Sequence, residues 1–193
     1  MKDAGLHGTE PPSEWVKRWS HLAPPQGRVL DVACGYGRHA YYFYQENHAV
    51  TVVDRAQAAI ESIAIAANFC EKVVADIENG PWPFTDRQFD VVVVTHYLWW
   101  PLMPTLLASL APGGLLIYET FTQGNETVGK PSRPDFLLRP GELLETCKEL
   151  RVVAFEDGFI AEAAGQTPRF VQRIAAVREA GVNRLPARYP LPP

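Results

Sequence analysis

Five short stretches hold the side chains that could bind a ligand or move a proton. Asp31 precedes a glycine pair, Gly35-x-Gly37, in RVLDVACGYGRHA. Asp54 closes AVTVVD and Asp76 closes EKVVAD. Thr95, His96 and Tyr97 fall in FDVVVVTHYL, and Glu119 in LLIYETF. Carboxylates of this kind hold ammonium, hydroxyl or amino groups, and an imidazole accepts a proton near neutrality. The glycines let a ligand approach the backbone where a Cβ would intrude. Gly35-x-Gly37-x-x-Ala40 comes close to a dinucleotide fingerprint, which is weak evidence alone. A carboxylate at Asp31 would repel a pyrophosphate and hold an ammonium. Asp54 suits two ribose hydroxyls, and Asp76 can accept from an adenine amino group. Each acid taken singly also fits a plainer role, capping the next helix.

The elements that must position these residues can be read from apolar periodicity and turn formers. SEWVKRW predicts a short helix with Ser13 as N-cap. RVLDVA, AVTVVD and EKVVAD read as strands, and RHAYYFYQEN and AQAAIESIAIAAN as helices. The four consecutive valines of FDVVVVTHYL predict a strand buried on both faces, at the centre of a parallel sheet. LMPTLLASL and GELLETCKEL read as helices, with the strand APGGLLIYETF and a long polar loop, residues 122–139, between them. RVVAFEDG and RFVQRIAAVRE read as a closing hairpin. Alternating strands and helices with a final hairpin predict an α/β fold: a doubly wound, Rossmann-like, three-layer sandwich. Its seven-stranded sheet is mostly parallel with one antiparallel strand. Ligands of such sheets sit beyond the carboxyl ends of the strands, where strand order reverses.

Bulk properties narrow the function. A length of 193 residues suits a single domain, 1–193, with extended arms at 1–12 and 185–193. The formal net charge of −4 disfavours nucleic acid as partner and favours a small-molecule substrate. No apolar run is long enough to cross a bilayer, and no secretory pattern opens the chain, so the expected address is the cytoplasm. Cys34, Cys70 and Cys147 form no Cys-x-x-Cys pair, which argues against a metal site or disulfide framework. A monomer and a homodimer both remain open.

Acids after three successive strands suit a ligand with an amino acid, a ribose and an adenine but no phosphates, as in S-adenosylmethionine. VLDVACGYG resembles the first motif of class I S-adenosylmethionine-dependent methyltransferases, and VTVVD their second-strand motif. VVADIENGPWPF is similar to their adenine-bracketing segment, FDVVVVTHYL to their fourth-strand motif, and LAPGGLLIYETF to their Pro-Gly-Gly turn and fifth strand. The likeness runs in order from Val29 to Phe121. CGYGRHA and the compact size resemble a small bacterial branch related to tellurite-resistance methyltransferases. The resemblance implies that Asp31, Ala33, Gly35 and Gly37 face the methionine part, with Arg38 placing its carboxylate. It implies that Asp54 binds ribose beside Arg55. Asp76 would read the adenine amino group while Ile77 packs on the ring, and Thr95 and His96 would line the cofactor.

Methyl transfer is an in-line displacement on a cofactor that already carries the reactivity, so the protein aligns the acceptor and excludes water. A base is needed only when the nucleophile is protonated. His96 is a candidate base or cofactor contact, although relatives with this loop carry Asn there. Tyr97 is a candidate acid or pocket wall. Glu119 is a candidate base or amine-binding group. Lys130 and Arg133 could hold an anionic acceptor. Trp99 and Trp100, expected on a helix, could line an aromatic pocket or a partner surface. Trp15 and Trp19, at i,i+4, are expected in the core or on a lid. The expected activity is transfer to a small acceptor, an oxyanion such as tellurite or a small organic nucleophile. RNA or protein methylation, a non-catalytic cofactor-binding module and a nicotinamide dehydrogenase are the alternatives; Asp31 and the Pro-Gly-Gly turn disfavour the last.

Overall fold

A computed structural model describes residues 10–161, 167–181 and 188–192. Seven strands form one sheet: β1 (Arg28–Val32), β2 (Ala49–Asp54), β3 (Cys70–Val74), β4 (Phe89–Thr95), β5 (Leu110–Phe121), β6 (Arg151–Ile160) and β7 (Arg169–Val177). Their order is β3-β2-β1-β4-β5-β7-β6. The first five run parallel, and β7 lies antiparallel between β5 and β6. This matches the expected sheet, including the inserted antiparallel strand.

Alternating residues of each strand divide the core in two. Val29, Val91, Val93, Leu115 and Ile117 face α1 (Glu14–Trp19), α2 (Arg38–Gln45) and α3 (Gln57–Ser62). Leu30, Val32, Val92, Val94 and Leu116 face α4 (Met103–Ala108) and α5 (Glu142–Thr146). The result is a three-layer sandwich. The valines of β4 are fully buried, as a central strand requires. Ser13 caps α1 by accepting from the Trp15 amide at 3.1 Å. Trp15 and Trp19 are core residues in edge-to-face contact, with centroids 5.6 Å apart.

Three local expectations are corrected. The helix expected across AQAAIESIAIAAN stops at Ser62, and Ile63 turns to an extended conformation. Buried Ile63 and Ile65 pull the chain against the sheet. The Lys72 ammonium donates to the Ile63 carbonyl, and the Tyr41 hydroxyl accepts from the Ala64 amide. Those partners replace helical ones. Strand β3 ends at Val74, so Asp76 lies in the turn beyond it. Trp99 is extended and Trp100 opens a 3-10 turn, so no regular α-helix carries the pair, and both pack against the core on the α4 side. Of the expected arms, residues 1–9, 185–187 and 193 lie outside the described residues. Residues 10–12 and 188–192 have no regular structure, and Tyr189 packs against the α1 side of the core.

Candidate functional site

Strand order reverses between β1 and β4, and a cleft of about 580 Å³ opens there at the carboxyl ends. Its floor is the turn after β1. Ala33, Gly35 and Gly37 all have positive φ, and Ala33 and Gly35 line the cleft. Gly37 lies beneath, and a Cβ there would meet Ile63 Cδ1 at 2.8 Å. Asp54 ties the turn to β2: one carboxylate oxygen accepts from the Gly35 amide at 2.9 Å, the other from Ala56 at 2.8 Å. Arg55 stands beside it on the cleft wall.

Asp31 is 1% exposed and sits under this turn, not on the cleft surface. Its Oδ2 has no hydrogen-bond partner among the described residues. Burial pushes its carboxyl up to about 7, against the pull of Arg38 and the Ala40 amide. Arg38 is mostly buried. It reaches Thr95 Oγ1 and the Pro11 carbonyl, both at 3.4 Å, and Glu10 at 3.7 Å. The N-terminal segment is thereby drawn to the cleft mouth.

At the far wall Asp76 folds its own turn, accepting from the Glu78 and Asn79 amides and from the Asn79 side chain. Those hydrogen bonds hold its carboxyl below the usual range. No helix follows, so Asp76 does not cap one; it closes a turn and still lines the cleft. Buried Ile77 lines the same wall. The Tyr97 hydroxyl is buried without a hydrogen-bond partner among the described residues and feels Glu78, Asp76, Arg55 and Asp54. Burial pushes its phenol up. Tyr97 therefore belongs to the Asp54–Asp76 half of the cleft. The Tyr118 hydroxyl donates to the Tyr97 carbonyl at 2.8 Å and fixes this corner.

Thr95 and His96 stand where β4 ends. His96 has φ +55°, a left-handed conformation uncommon outside glycine, asparagine and histidine. Its amide donates to the Glu119 carbonyl at 2.8 Å, and its ring lies 5.0 Å from that of Phe121. Glu119 is 2% exposed and lies beneath His96, off the cleft surface. Oε1 is 3.6 Å from His96 Nε2, and the Ser13 hydroxyl donates to the carboxylate at 3.3 Å. Arg173 Nη1 reaches Oε2 at 3.4 Å. Burial alone would raise this carboxyl, but His96, Arg173 and Arg169 more than offset it and hold it at about 2. His39, also buried, accepts from the Ser13 amide at 3.2 Å, and burial pushes it down to about 3, so it is neutral.

Ser13, His39 and Arg173 were not legible as site residues, since nothing in sequence links Ser13 to Glu119, 106 positions away. Phe121, Phe136, Leu98 and Thr120 complete the wall beyond His96. Lys130 is on the rim, while Arg133 is outside the lining and pairs with Asp135 at 2.9 Å. The three cysteines are free and buried, and no metal-binding cluster occurs among the described residues.

Residues 29–114, which supply most of the cleft lining and run from the first strand to the Pro-Gly-Gly turn, match the methyltransferase-domain family model. Phthiotriol/phenolphthiotriol dimycocerosates methyltransferase 1 of Mycobacterium ulcerans is 34% identical over 116 residues, covering 55% of this chain and 42% of that protein. The chain thus spans less than half the length of that relative. TehB from Haemophilus influenzae superposes with a TM-score of 0.68 at 18% identity, covering 86% of this chain and 61% of TehB. An S-adenosylmethionine-dependent methyltransferase from Methanosarcina mazei superposes at 0.65 with 16% identity, covering 84% of this chain and 97% of the other. The chain thus has the fold of these S-adenosylmethionine-dependent methyltransferases, and its residues 29–114 match the methyltransferase-domain model.

Proposed function

We propose that the chain binds S-adenosylmethionine in the cleft and transfers its methyl group to a small acceptor entering beside His96. One observation carries the reading. Asp54, the Asp76–Ile77 turn and the Thr95–His96 corner line one continuous cleft over a glycine turn, within the segment matched to methyltransferases. A space of about 580 Å³ is in the range of small-molecule sites. The residues also fit the cofactor chemically. Unpaired Asp31 Oδ2, under the turn, gives a site for positive charge above it. Asp54 keeps free lone pairs for ribose hydroxyls, and Asp76 for an adenine amino group. Ile77 offers an apolar face to the ring. The bound cofactor supplies an electrophilic methyl on a sulfonium. The chain orients the acceptor and keeps water from the methyl.

A small acceptor is favoured over nucleic acid. Cations and anions alternate around the cleft: Arg38, Arg55 and Lys130 against Glu10, Asp76 and Glu78. A phosphate backbone would need one basic track. No helix among the described residues is long and apolar enough to cross a membrane.

Calorimetry with S-adenosylmethionine, S-adenosylhomocysteine and NAD tests the reading. Binding of both sulfur nucleotides and not of NAD is expected; tight NAD binding with neither of the others overturns it.

A further inference from the structure

The acceptor end of the cleft differs from the cofactor end in a way that bears on what is methylated. An oxyanion is already a nucleophile and needs cations around it, not a base. Here Arg38 is engaged by Glu10, the Pro11 carbonyl and Thr95, and Lys130 stands at the exposed rim. The wall beyond Thr95 is instead an imidazole stacked on Phe121, with Leu98 and Phe136. One nitrogen of the imidazole is aimed at a buried acid. Nε2 faces Glu119 Oε1 at 3.6 Å, longer than a hydrogen bond, and catalytic contacts are often long before a substrate binds. Glu119 is itself held by Ser13 and Arg173, and Arg173 is held by Glu156 and by the face of Trp15, 4.9 Å away.

We infer that Glu119 is a positioning residue that fixes His96 as the Nε2–H tautomer, leaving Nδ1 to take the proton from an acceptor that must lose one: a planar, phenol-type hydroxyl. The inference rests on the methyl-transfer reading above and chooses between the acceptor classes it leaves open. In the step, the phenolic O–H proton passes to Nδ1. The oxygen's electron pair bonds the methyl carbon, and the C–S pair returns to sulfur. The products are an aryl methyl ether, S-adenosylhomocysteine and a His96 imidazolium that returns its proton to water. Phe121 and Phe136 offer the flat apolar contact that an aromatic ring needs. Glu119 on β5 is the charge that faces His96; Arg173 and Arg169 on β7 act on Glu119, and Arg38 on α2 acts on His39 nearby. His39, also on α2, is neutral.

Two measurements test this. Nitrogen NMR of the imidazoles in the ligand-free chain should give the Nε2–H tautomer for His96 and a tautomer mixture in Glu119→Gln. An Nδ1–H tautomer in the native chain overturns the inference with no variant needed. Methyl transfer is then assayed with phenol, 4-nitrophenol and tellurite at about pH 9, where phenol is still mostly protonated and 4-nitrophenol is ionised. Both phenols should yield methyl ethers and tellurite none. His96→Ala should lose roughly 100-fold or more with phenol, the scale of a general base, and under about threefold with 4-nitrophenol. Equal losses on both phenols, no ether from either, or transfer to tellurite overturns it. Failure of the methyl-transfer reading looks different: S-adenosylhomocysteine would not bind, and the His96 tautomer would be unchanged.

Discussion

Asp31 and Glu119 are both buried carboxylates near the carboxyl ends of strands in one sheet, and their surroundings have opposite effects. Asp31 has an orphaned oxygen and a carboxyl raised to about 7 by burial. Glu119 is equally buried, yet His96, Arg173 and Arg169 more than offset burial and hold it ionised, at about 2, with Ser13 donating to it. The proposed cofactor end of the cleft thus keeps an unpaired carboxylate oxygen that a ligand's positive charge can meet. The acceptor end is already neutralised by the chain's own residues. A group raised in the fold stabilises the fold at low pH and loses that contribution as pH rises. A group lowered in the fold does the reverse. The two acids therefore give stability slopes of opposite sign in different pH windows.

The largest test breaks the Glu119 side. Arg173→Met removes the guanidinium while keeping an apolar stem beside Trp15. Glu119 is then left buried with Ser13, His96 and the charge of Arg169. Loss of one partner from a buried ion pair costs about 3–5 kcal/mol, so urea unfolding at neutral pH should report a loss of that order. The deficit should shrink as pH falls from about 4.5 toward 2, where Glu119 takes up its proton. A loss below about 1 kcal/mol would mean that Arg173 does not sustain the buried charge.

The Asp31 side should respond in the other direction. Below about pH 4 the unfolded chain protonates Asp31 too, and burial carries no charge penalty. Between pH 4 and 7 the unfolded chain ionises while the folded one resists, so stability falls. Asp31→Asn removes that penalty and can still accept from the Ala40 amide. It should be about as stable as the native chain at pH 4 and more stable at pH 8, by on the order of 4 kcal/mol. Thermal or urea unfolding at the two pH values measures it. A variant less stable than the native chain at pH 8 would show that Asp31 is not held there at a cost.

The contrast between the two acids was only half legible in the sequence. Strand order, the antiparallel β7 and the placing of Asp54 and Thr95 follow from local patterns, since each strand carries its own periodicity and its own acid. The α3 stop was not legible: the composition of SIAIAAN favours helix, while burial of Ile63 and Ile65 sets the geometry. The left-handed turn at His96 depends on a hydrogen bond to β5. Whether a buried acid is paired depends on groups brought from afar. Glu119 meets Ser13 and Arg173 only because α1 and β7 pack around the end of β5.

Asp54 lies between the two extremes, half-buried and bonded to the Gly35 and Ala56 amides. Asp54→Ala removes the acceptor proposed for ribose and frees the glycine turn. Affinity for S-adenosylhomocysteine should fall by about 1–3 kcal/mol, roughly one to two decades, as read by calorimetry. Unchanged affinity would remove this residue from the cofactor half. The His96 imidazole, held by Glu119, should keep its tautomer in this variant.

The smallest effect serves as the control for pairing without burial. Glu71 makes a two-point pair with Arg87, at 2.7 and 3.0 Å, a tighter geometry than Glu119 has with Arg173. Both side chains are nearly half exposed. The Arg87 hydrogen bonds hold the Glu71 carboxyl below its usual range, yet water and salt screen the charge, and unpairing it strands nothing in a dry interior. Glu71→Gln should cost under about 1 kcal/mol, and the cost should shrink further in about 1 M salt, where the screening length is only a few ångströms. Should Glu71→Gln cost as much as Arg173→Met, pair geometry and not burial would set the energetics, and the difference between Asp31 and Glu119 would have to be explained without desolvation.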